Sequence, residues 1–186
     1  MSIKNLPESS LSGLTPQTSN AAVITSSTGS PTITTDGTAT VYKFTGDGTL
    51  VVGTAGVADL LLVSGGGGSW TGQWGGGGGD VVEKTVTLPA GTLTVAIGAG
   101  GSASADSRAT TGGESSVGTF TTGRSRIVGW SEAGTAVNRA IAWPSSITGS
   151  AVTYAAGDGS SSSLLGDGAA GVAGTPTSGV VIVRVG

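Results

Sequence analysis

The fold is decided by Asp59-Leu-Leu-Leu-Val-Ser64, which runs directly into Gly65-Gly-Gly-Gly68. The residues from Leu60 to Val63 are all apolar, so they do not alternate between a buried and an exposed face. An unbroken apolar run that ends at glycine is typical of a central strand covered on both faces. The last stretch, Gly179-Val-Val-Ile-Val-Arg-Val185, is also apolar on both faces apart from Arg184. Both stretches are predicted to be strands.

The stretches on either side predict further strands and turns. Val81–Leu88 places Val82, Val86 and Leu88 on one face, with Lys84 as the exception, and Pro89-Ala90-Gly91 then forms a tight turn into the alternating strand Thr92–Ile97. Gly46-Asp47-Gly48 is predicted to join two strands in a hairpin. These two strands are Ala39–Thr45 and Thr49–Val52. Shorter strands are predicted near residues 116–121, 125–129 and 151–155.

No part of the sequence has a convincing helical stripe, although residues 131–142 have room for one short turn of helix. Several short strands, with turn signals every few residues, are typical of a sandwich or barrel. The sequence therefore predicts an all-β fold: an antiparallel, jelly-roll-like β-sandwich with long glycine-rich loops and an extended N-terminal arm.

The sequence predicts one domain with an appended arm, and the boundary between them lies at the turn dipeptide Asp36-Gly37. Residues 1–36 are polar and contain three prolines, so they are expected to be an extended attachment arm, and residues 37–186 are expected to fold as the glycine-rich sandwich. The arm has too few apolar residues for a core of its own. It is either a disordered tail or a segment that lies along a neighbouring subunit. In the second case its candidate anchors are Ile3, Leu6, Leu11 and Leu14.

Composition excludes several functions. The chain has no His and no Cys, which removes the common nucleophilic triads, thiolate chemistry, zinc sites and disulfides. Its 8 basic and 11 acidic residues give no basic footprint for nucleic acid. No apolar run approaches the roughly 20 residues that cross a bilayer, and the start lacks the apolar stretch of a signal peptide. We therefore expect no enzyme activity, no cofactor, no metal, no membrane insertion and no export by the usual route.

Two glycine runs surround Ser69-Trp-Thr-Gly-Gln-Trp74, namely Gly65–Gly68 and Gly75–Gly79. No Lys and no helix follows them in the way a phosphate-binding loop requires. They are either flexible linkers or extended segments in which the missing Cβ lets one backbone approach another. The three Gly-Asp-Gly triplets, at Asp47, Asp158 and Asp167, have the composition of turns rather than of a calcium loop.

The four tryptophans are the candidate contact residues: Trp70, Trp74, Trp130 and Trp143. Their rings either fill gaps in a core or subunit interface made of small residues, or contact a receptor or partner at the surface. Trp70 and Trp74, four residues apart between the glycine runs, are the stronger candidates for exposure. Glu83, Glu114 and Glu132 have the setting of surface charges.

Several blocks occur in an order that resembles the glycine-rich domain of bacteriophage tail fibres, minor tail proteins and related virion surface proteins. The blocks are Phe44–Val52, Asp59–Gly68, Gly78–Gly91, Leu93–Gly101 and Gly179–Arg184. The resemblance covers roughly residues 40–186. It implies a β-sandwich that projects long glycine-rich loops outward as part of a receptor-binding or virion-decorating structure.

Three functions follow as hypotheses. The resemblance implies a surface-displayed virion protein of the tail fibre or tail tip, made in the host cytoplasm, which contacts other virion subunits and a host glycan or outer-membrane protein. The alternative is a capsid decoration protein that residues 1–36 hold to the shell; the absence of a shaft repeat favours it. A carbohydrate-binding module is a remoter alternative.

Overall fold

The computed structural model describes residues 20–69, 76–102, 109–125, 142–157, 165–166 and 175–186, and within them the chain forms strands and no helix. The longer strands are β1 (Val23–Thr28), β2 (Thr32–Asp36), β3 (Ala39–Phe44), β4 (Gly48–Thr54), β5 (Gly56–Val63), β6 (Val81–Leu88) and β7 (Gly91–Ala96). The others are β8 (Ser116–Val117), β9 (Phe120–Thr121), β10 (Trp143–Ser145), β11 (Val152–Tyr154) and β12 (Val180–Val185). The all-β prediction is confirmed.

Two five-stranded antiparallel sheets face each other. The front sheet has the order β2-β3-β12-β5-β6, and the back sheet has the order β1-β4-β7-β8-β9. The facing sides share one apolar core, to which the front sheet contributes Phe44, Leu60 and Val183 and the back sheet contributes Leu50 and Val95. The antiparallel sandwich predicted from the sequence is therefore confirmed.

The central strands of the front sheet are buried on both faces, as their unbroken apolar sequences predict. The β12 strand lies between β3 and β5. The hairpin β10–β11 covers part of the outer face, where Leu61 and Ile182 pack with Ile147 and Tyr154. A second, smaller core thus lies between this hairpin and the front sheet.

The hairpin predicted at Gly46-Asp47-Gly48 is wrong in its pairing. The β3 and β4 strands lie in different sheets, so Gly46 and Asp47 carry the chain across the sandwich instead of closing a hairpin. Pro89 and Ala90 likewise carry the chain from β6 in the front sheet to β7 in the back sheet. A strand with one buried face has the same alternation in either arrangement, so the pattern identifies the strands without identifying their partners.

The boundary predicted at residue 36 is also moved by the structure. The β1 strand, within the predicted arm, pairs with β4, and β2 pairs with β3 through the predicted turn at Gly37, whose φ is +61°. Residues 23–36 therefore belong to the sandwich as an edge strand of each sheet. Residues 1–19, with the candidate anchors Ile3, Leu6, Leu11 and Leu14, lie outside the described residues.

Candidate functional site

Glycine-rich segments continue the strands at one end of the sandwich. They are residues 64–69, 76–80, 97–102, 109–115 and 175–179, and together they form what we call the glycine bundle. Each segment directly follows or precedes a strand: β5, β6, β7, β8 and β12 respectively. In antiparallel neighbours the end of one strand lies beside the start of the next, so the topology brings these segments together.

Four successive amide groups at the centre of the bundle donate hydrogen bonds to three neighbouring segments. The pairs are Gly65 N to Gly113 O (3.0 Å), Gly66 N to Thr177 O (3.0 Å), Gly67 N to Gly77 O (2.8 Å) and Gly68 N to Thr110 O (3.0 Å). The acceptors of the first and the fourth amide, Gly113 and Thr110, belong to the same segment. A repeat of three residues is that of a polyproline II helix, which makes no hydrogen bonds of its own and leaves its amides free for neighbours.

The glycines of the bundle are required by close backbone packing. A Cβ built on Gly65 would overlap the carbonyl of Ala99, and one on Gly98 would overlap the carbonyl of Gly113. A Cβ built on Gly112 would likewise overlap the carbonyl of Gly65. The interpretation of the glycine runs as extended segments in backbone contact is therefore supported over that of flexible linkers, since the segments are hydrogen-bonded to one another and Gly65–Gly68 are buried.

Buried hydroxyl groups join the bundle to the sandwich. Ser115 Oγ donates to the carbonyl of Val63 at 2.6 Å and accepts from the amide of Gly98 at 2.9 Å. Ser125 Oγ accepts from the amide of Gly112 at 2.6 Å. Because an unpaired amide or carbonyl is costly in the interior, these small side chains stabilise a region that has almost no apolar surface.

The far end of the bundle is where the chain leaves the described residues. Hydrogen bonds join Gly67 to Gly77, Gly68 to Thr110, Thr110 to Ser102, and Gly112 to Ser125. These contacts lie next to the points where the chain enters and leaves residues 70–75 and residues 103–108, and where it enters residues 126–141. The described residues on either side of 70–75 and of 103–108 therefore lie at the same end of the bundle, whereas Ser125 contacts Gly112 nearer the sandwich. Of the predicted contact residues, Trp70, Trp74 and Trp130 lie outside the described residues.

Trp143 is described, and it is exposed. Its side chain retains 40% of its accessible surface on β10. The indole Nε1–H donates to Glu83 Oε2 on β6 at 2.6 Å, and Ser145 Oγ donates to the other carboxylate oxygen at 2.8 Å. The amide of Ile147 donates in turn to Ser145 Oγ at 3.2 Å. These hydrogen bonds hold the indole against β6.

Glu83 is a residue that the sequence placed only as a surface charge. It is exposed, yet its carboxylate accepts hydrogen bonds from the Trp143 indole and the Ser145 hydroxyl, which lie 60 and 62 residues later in the sequence. Burial, and after it the negative charge of Glu83, raise the pKa of the neighbouring Tyr154 hydroxyl. No short sequence pattern signals such a contact, because it depends on how the hairpin lies on the front sheet.

The other polar candidates have structural positions. Asp47 Oδ1 accepts from the amide of Ile97 at 2.7 Å, a contact that joins the connection between β3 and β4 to the residue after β7, while Asp158 and Asp167 lie outside the described residues. Glu114 forms an exposed ion pair with Arg124 at 3.4 Å. Across the part of the chain that the structure describes, no group of three or more acidic, His or Cys side chains is placed to hold a metal ion. The same part contains no helix long and apolar enough to cross a membrane.

Comparison with protein families, with curated proteins and with solved structures finds no significant match for this chain.

Proposed function

We propose that this chain is a non-enzymatic structural protein of a bacteriophage virion, displayed on the particle surface as part of the tail fibre or tail tip. Two things support the proposal: the order of sequence blocks that resembles virion glycine-rich domains, and the position of those blocks in the fold. Asp59–Gly68 is β5 with the central bundle segment, and Leu93–Gly101 is β7 with another. The resembling residues are therefore the ones that build the junction of sandwich and bundle.

The observation that carries the proposal is the hydrogen bonding of Gly67 to Gly77, Gly68 to Thr110 and Thr110 to Ser102 at the far end of the bundle. A scaffold held by interstrand and intersegment hydrogen bonds thus brings the described residues on either side of 70–75 and of 103–108 to one end. Recognition residues are concentrated on loops that a rigid scaffold positions. This arrangement favours contact with a partner at the end of the molecule opposite the sandwich.

In this proposal Trp70 and Trp74, between Ser69 and Gly76, contact a host surface glycan or outer-membrane protein. Aromatic side chains supply large contact areas for both kinds of partner. The other partners are virion subunits, the protein is located on the particle surface after assembly in the host cytoplasm, and the chain needs no cofactor. Trp70→Ala with Trp74→Ala is expected to reduce adsorption to host cells while the melting temperature and incorporation into particles stay unchanged.

A capsid decoration protein is the alternative, and residues 1–19 are the feature that favours it. They precede β1 and provide a polar segment with spaced apolar residues for attachment to a shell. Gold-labelled antibodies on purified particles distinguish the two locations. Label at the tail tip supports the leading proposal, label over the whole shell supports the alternative, and particles without label contradict both.

Truncation tests the attachment arm, with the boundary taken from the structure. Removal of residues 1–19 leaves in place every strand that the structure describes, so we expect a folded protein that no longer enters particles. Removal of residues 1–36 also deletes β1 and β2, leaves the edges of β4 and β3 unpaired, and is expected to destabilise the fold. If the shorter truncation enters particles at normal occupancy, the attachment surface lies on the sandwich instead.

A further inference from the structure

The outer face of the front sheet carries an exposed aromatic ring beside two carboxylates. Trp143 lies against Glu83 on β6. Thr85 is two residues along the same strand and therefore points to the same side, about 7 Å away. Its Oγ1 donates to Asp59 Oδ1 at 2.6 Å. We propose that Trp143, Glu83, Thr85 and Asp59 form a shallow binding site for a neutral hexopyranoside.

The fixed orientation of the indole is the first argument. An exposed tryptophan that serves only to cover a core needs no partner for its ring nitrogen, because water can accept from it. Here the nitrogen is held by a carboxylate that Ser145 also holds. The ring is therefore ordered before any ligand arrives, and a ligand that stacks on it does not have to order it.

The chemistry of the neighbours is the second argument. A pyranose ring presents C–H groups on one face, which stack on an aromatic ring, and hydroxyl groups around its edge. Carboxylate oxygens accept more than one hydrogen bond each, so Glu83 and Asp59 retain acceptor capacity for these hydroxyl groups. Thr85 supplies a hydroxyl between them.

Charge selects the kind of sugar. The outward-facing positions of β5 and β6 carry Asp59 and Glu83 and no cation, since Lys84 faces inward and lies 5.0 Å from the centre of the Phe120 ring. Residues 142–157 carry no charged side chain. Arg184, the nearest cation in register with Asp59, donates to Asp36 at 2.6 Å. A uronate or sialic acid would be repelled here, whereas an uncharged hexose would not.

This site does not depend on a role in a virion. It lies on the sandwich, it involves only described residues, and it is tested on the purified protein. Failure of saccharide binding leaves the virion proposal standing, and failure of the virion proposal leaves the site.

The test is a titration of nitrogen-15-labelled protein with methyl glycosides of glucose, galactose, mannose and N-acetylglucosamine, followed by NMR. The Trp143 indole signal is identified as the one that Trp143→Phe removes. We expect it to move saturably with at least one glycoside at millimolar concentration, and methyl glucuronide to bind at least several-fold more weakly than methyl glucoside. Thr92→Val, on the back sheet, serves as the control and is expected to bind normally.

Two variants separate binding from folding. Trp143→Ala is expected to abolish the interaction. Thr85→Val is expected to weaken it several-fold without touching the indole, which keeps the test valid if the first variant disturbs the hairpin. The proposal is overturned if no glycoside moves the Trp143 signal saturably, if the affinity survives both substitutions, or if the glucuronide binds more tightly than the glucoside.

Discussion

Substitution of Gly98 by alanine tests the packing of the glycine bundle. Gly98 is buried, and a Cβ at this position would overlap the carbonyl oxygen of Gly113. The overlapping atom belongs to the backbone, so one segment has to move. The movement would disturb two contacts of Gly98 itself: its amide donates to Ser115 Oγ at 2.9 Å, and its carbonyl accepts from Gly179 at 2.9 Å.

The magnitude follows from these contacts. Overpacking of a closely packed region costs about 1–3 kcal/mol, and each weakened hydrogen bond costs about 0.5–1.5 kcal/mol. Replacing glycine stabilises by about 0.4–1 kcal/mol, because it restricts the unfolded chain. We therefore expect the free energy of unfolding to fall by about 1–5 kcal/mol. For a chain of this size each kcal/mol lowers the melting temperature by about 2–4 °C.

Gly46→Ala is the matched control. Gly46 lies in the exposed connection between β3 and β4, its φ is not in the left-handed region, and nothing lies within 4 Å of a Cβ built on it. We expect this variant to be as stable as the parent protein or slightly more stable. The free energies are measured by urea unfolding, followed by circular dichroism. Equal stability of the Gly98→Ala and Gly46→Ala proteins would refute the view that the bundle is closely packed.

Three further predictions concern the polar contacts. Ser115→Ala removes a buried hydroxyl that is paired at 2.6 and 2.9 Å, so it is expected to lower the free energy of unfolding by about 1–3 kcal/mol. The control Ser150→Ala, at an exposed position, should change this free energy by less than about 0.5 kcal/mol. Equal effects of the two substitutions in urea unfolding would contradict the role of Ser115. Asp36→Asn and Arg184→Met are expected to give a coupling energy below about 1 kcal/mol in a double-mutant cycle, because both side chains are partly exposed, and the coupling should shrink in high salt. The pKa of the Tyr154 hydroxyl is raised by burial and by Glu83, so the unfolded chain loses this proton at a lower pH than the folded protein does. The stability that Tyr154 contributes is therefore complete below a pH of about 10 and declines above it. Tyr154→Phe should flatten the fall in melting temperature in that alkaline range, and an unchanged slope would contradict this.

The strands and the glycine packing could be predicted from the sequence because they depend on local chemistry. The run Leu60–Val63 has no polar face, so it requires cover on both sides, which the second sheet and the β10–β11 hairpin provide. The extended interpretation of Gly65–Gly68 followed from the missing Cβ, and the close contacts with Ala99 and Gly113 agree with it.

Pairing between strands could not be predicted in the same way. Gly46-Asp47-Gly48 has the composition of a hairpin turn, but Phe44 and Leu50 on its two sides face each other across the core from different sheets. Likewise the polar sequence of β2 resembles an arm, yet its backbone pairs with β3 and its Asp36 meets Arg184. Edge strands need little apolar surface, because hydrogen bonds to one neighbour hold them in place.

The contact between Trp143 and Glu83 is of the same kind. Each residue alone has an ordinary setting in the sequence, and their meeting depends on the position of the β10–β11 hairpin over β6. Exposure of the tryptophan was one of two alternatives that the sequence left open, and the structure places its ring at the surface.

Amide hydrogen exchange at Gly65, Gly66, Gly67 and Gly68 tests the central claim most directly, since that claim is that the glycine runs are a hydrogen-bonded scaffold. Each of these amides donates to a different neighbouring residue at 2.8–3.0 Å. We expect all four amides to exchange as slowly as the amides of the adjoining strand β5, because both require opening of the same packed region. Exchange of these four amides at the rate of an unstructured chain, while β5 stays protected, would contradict it.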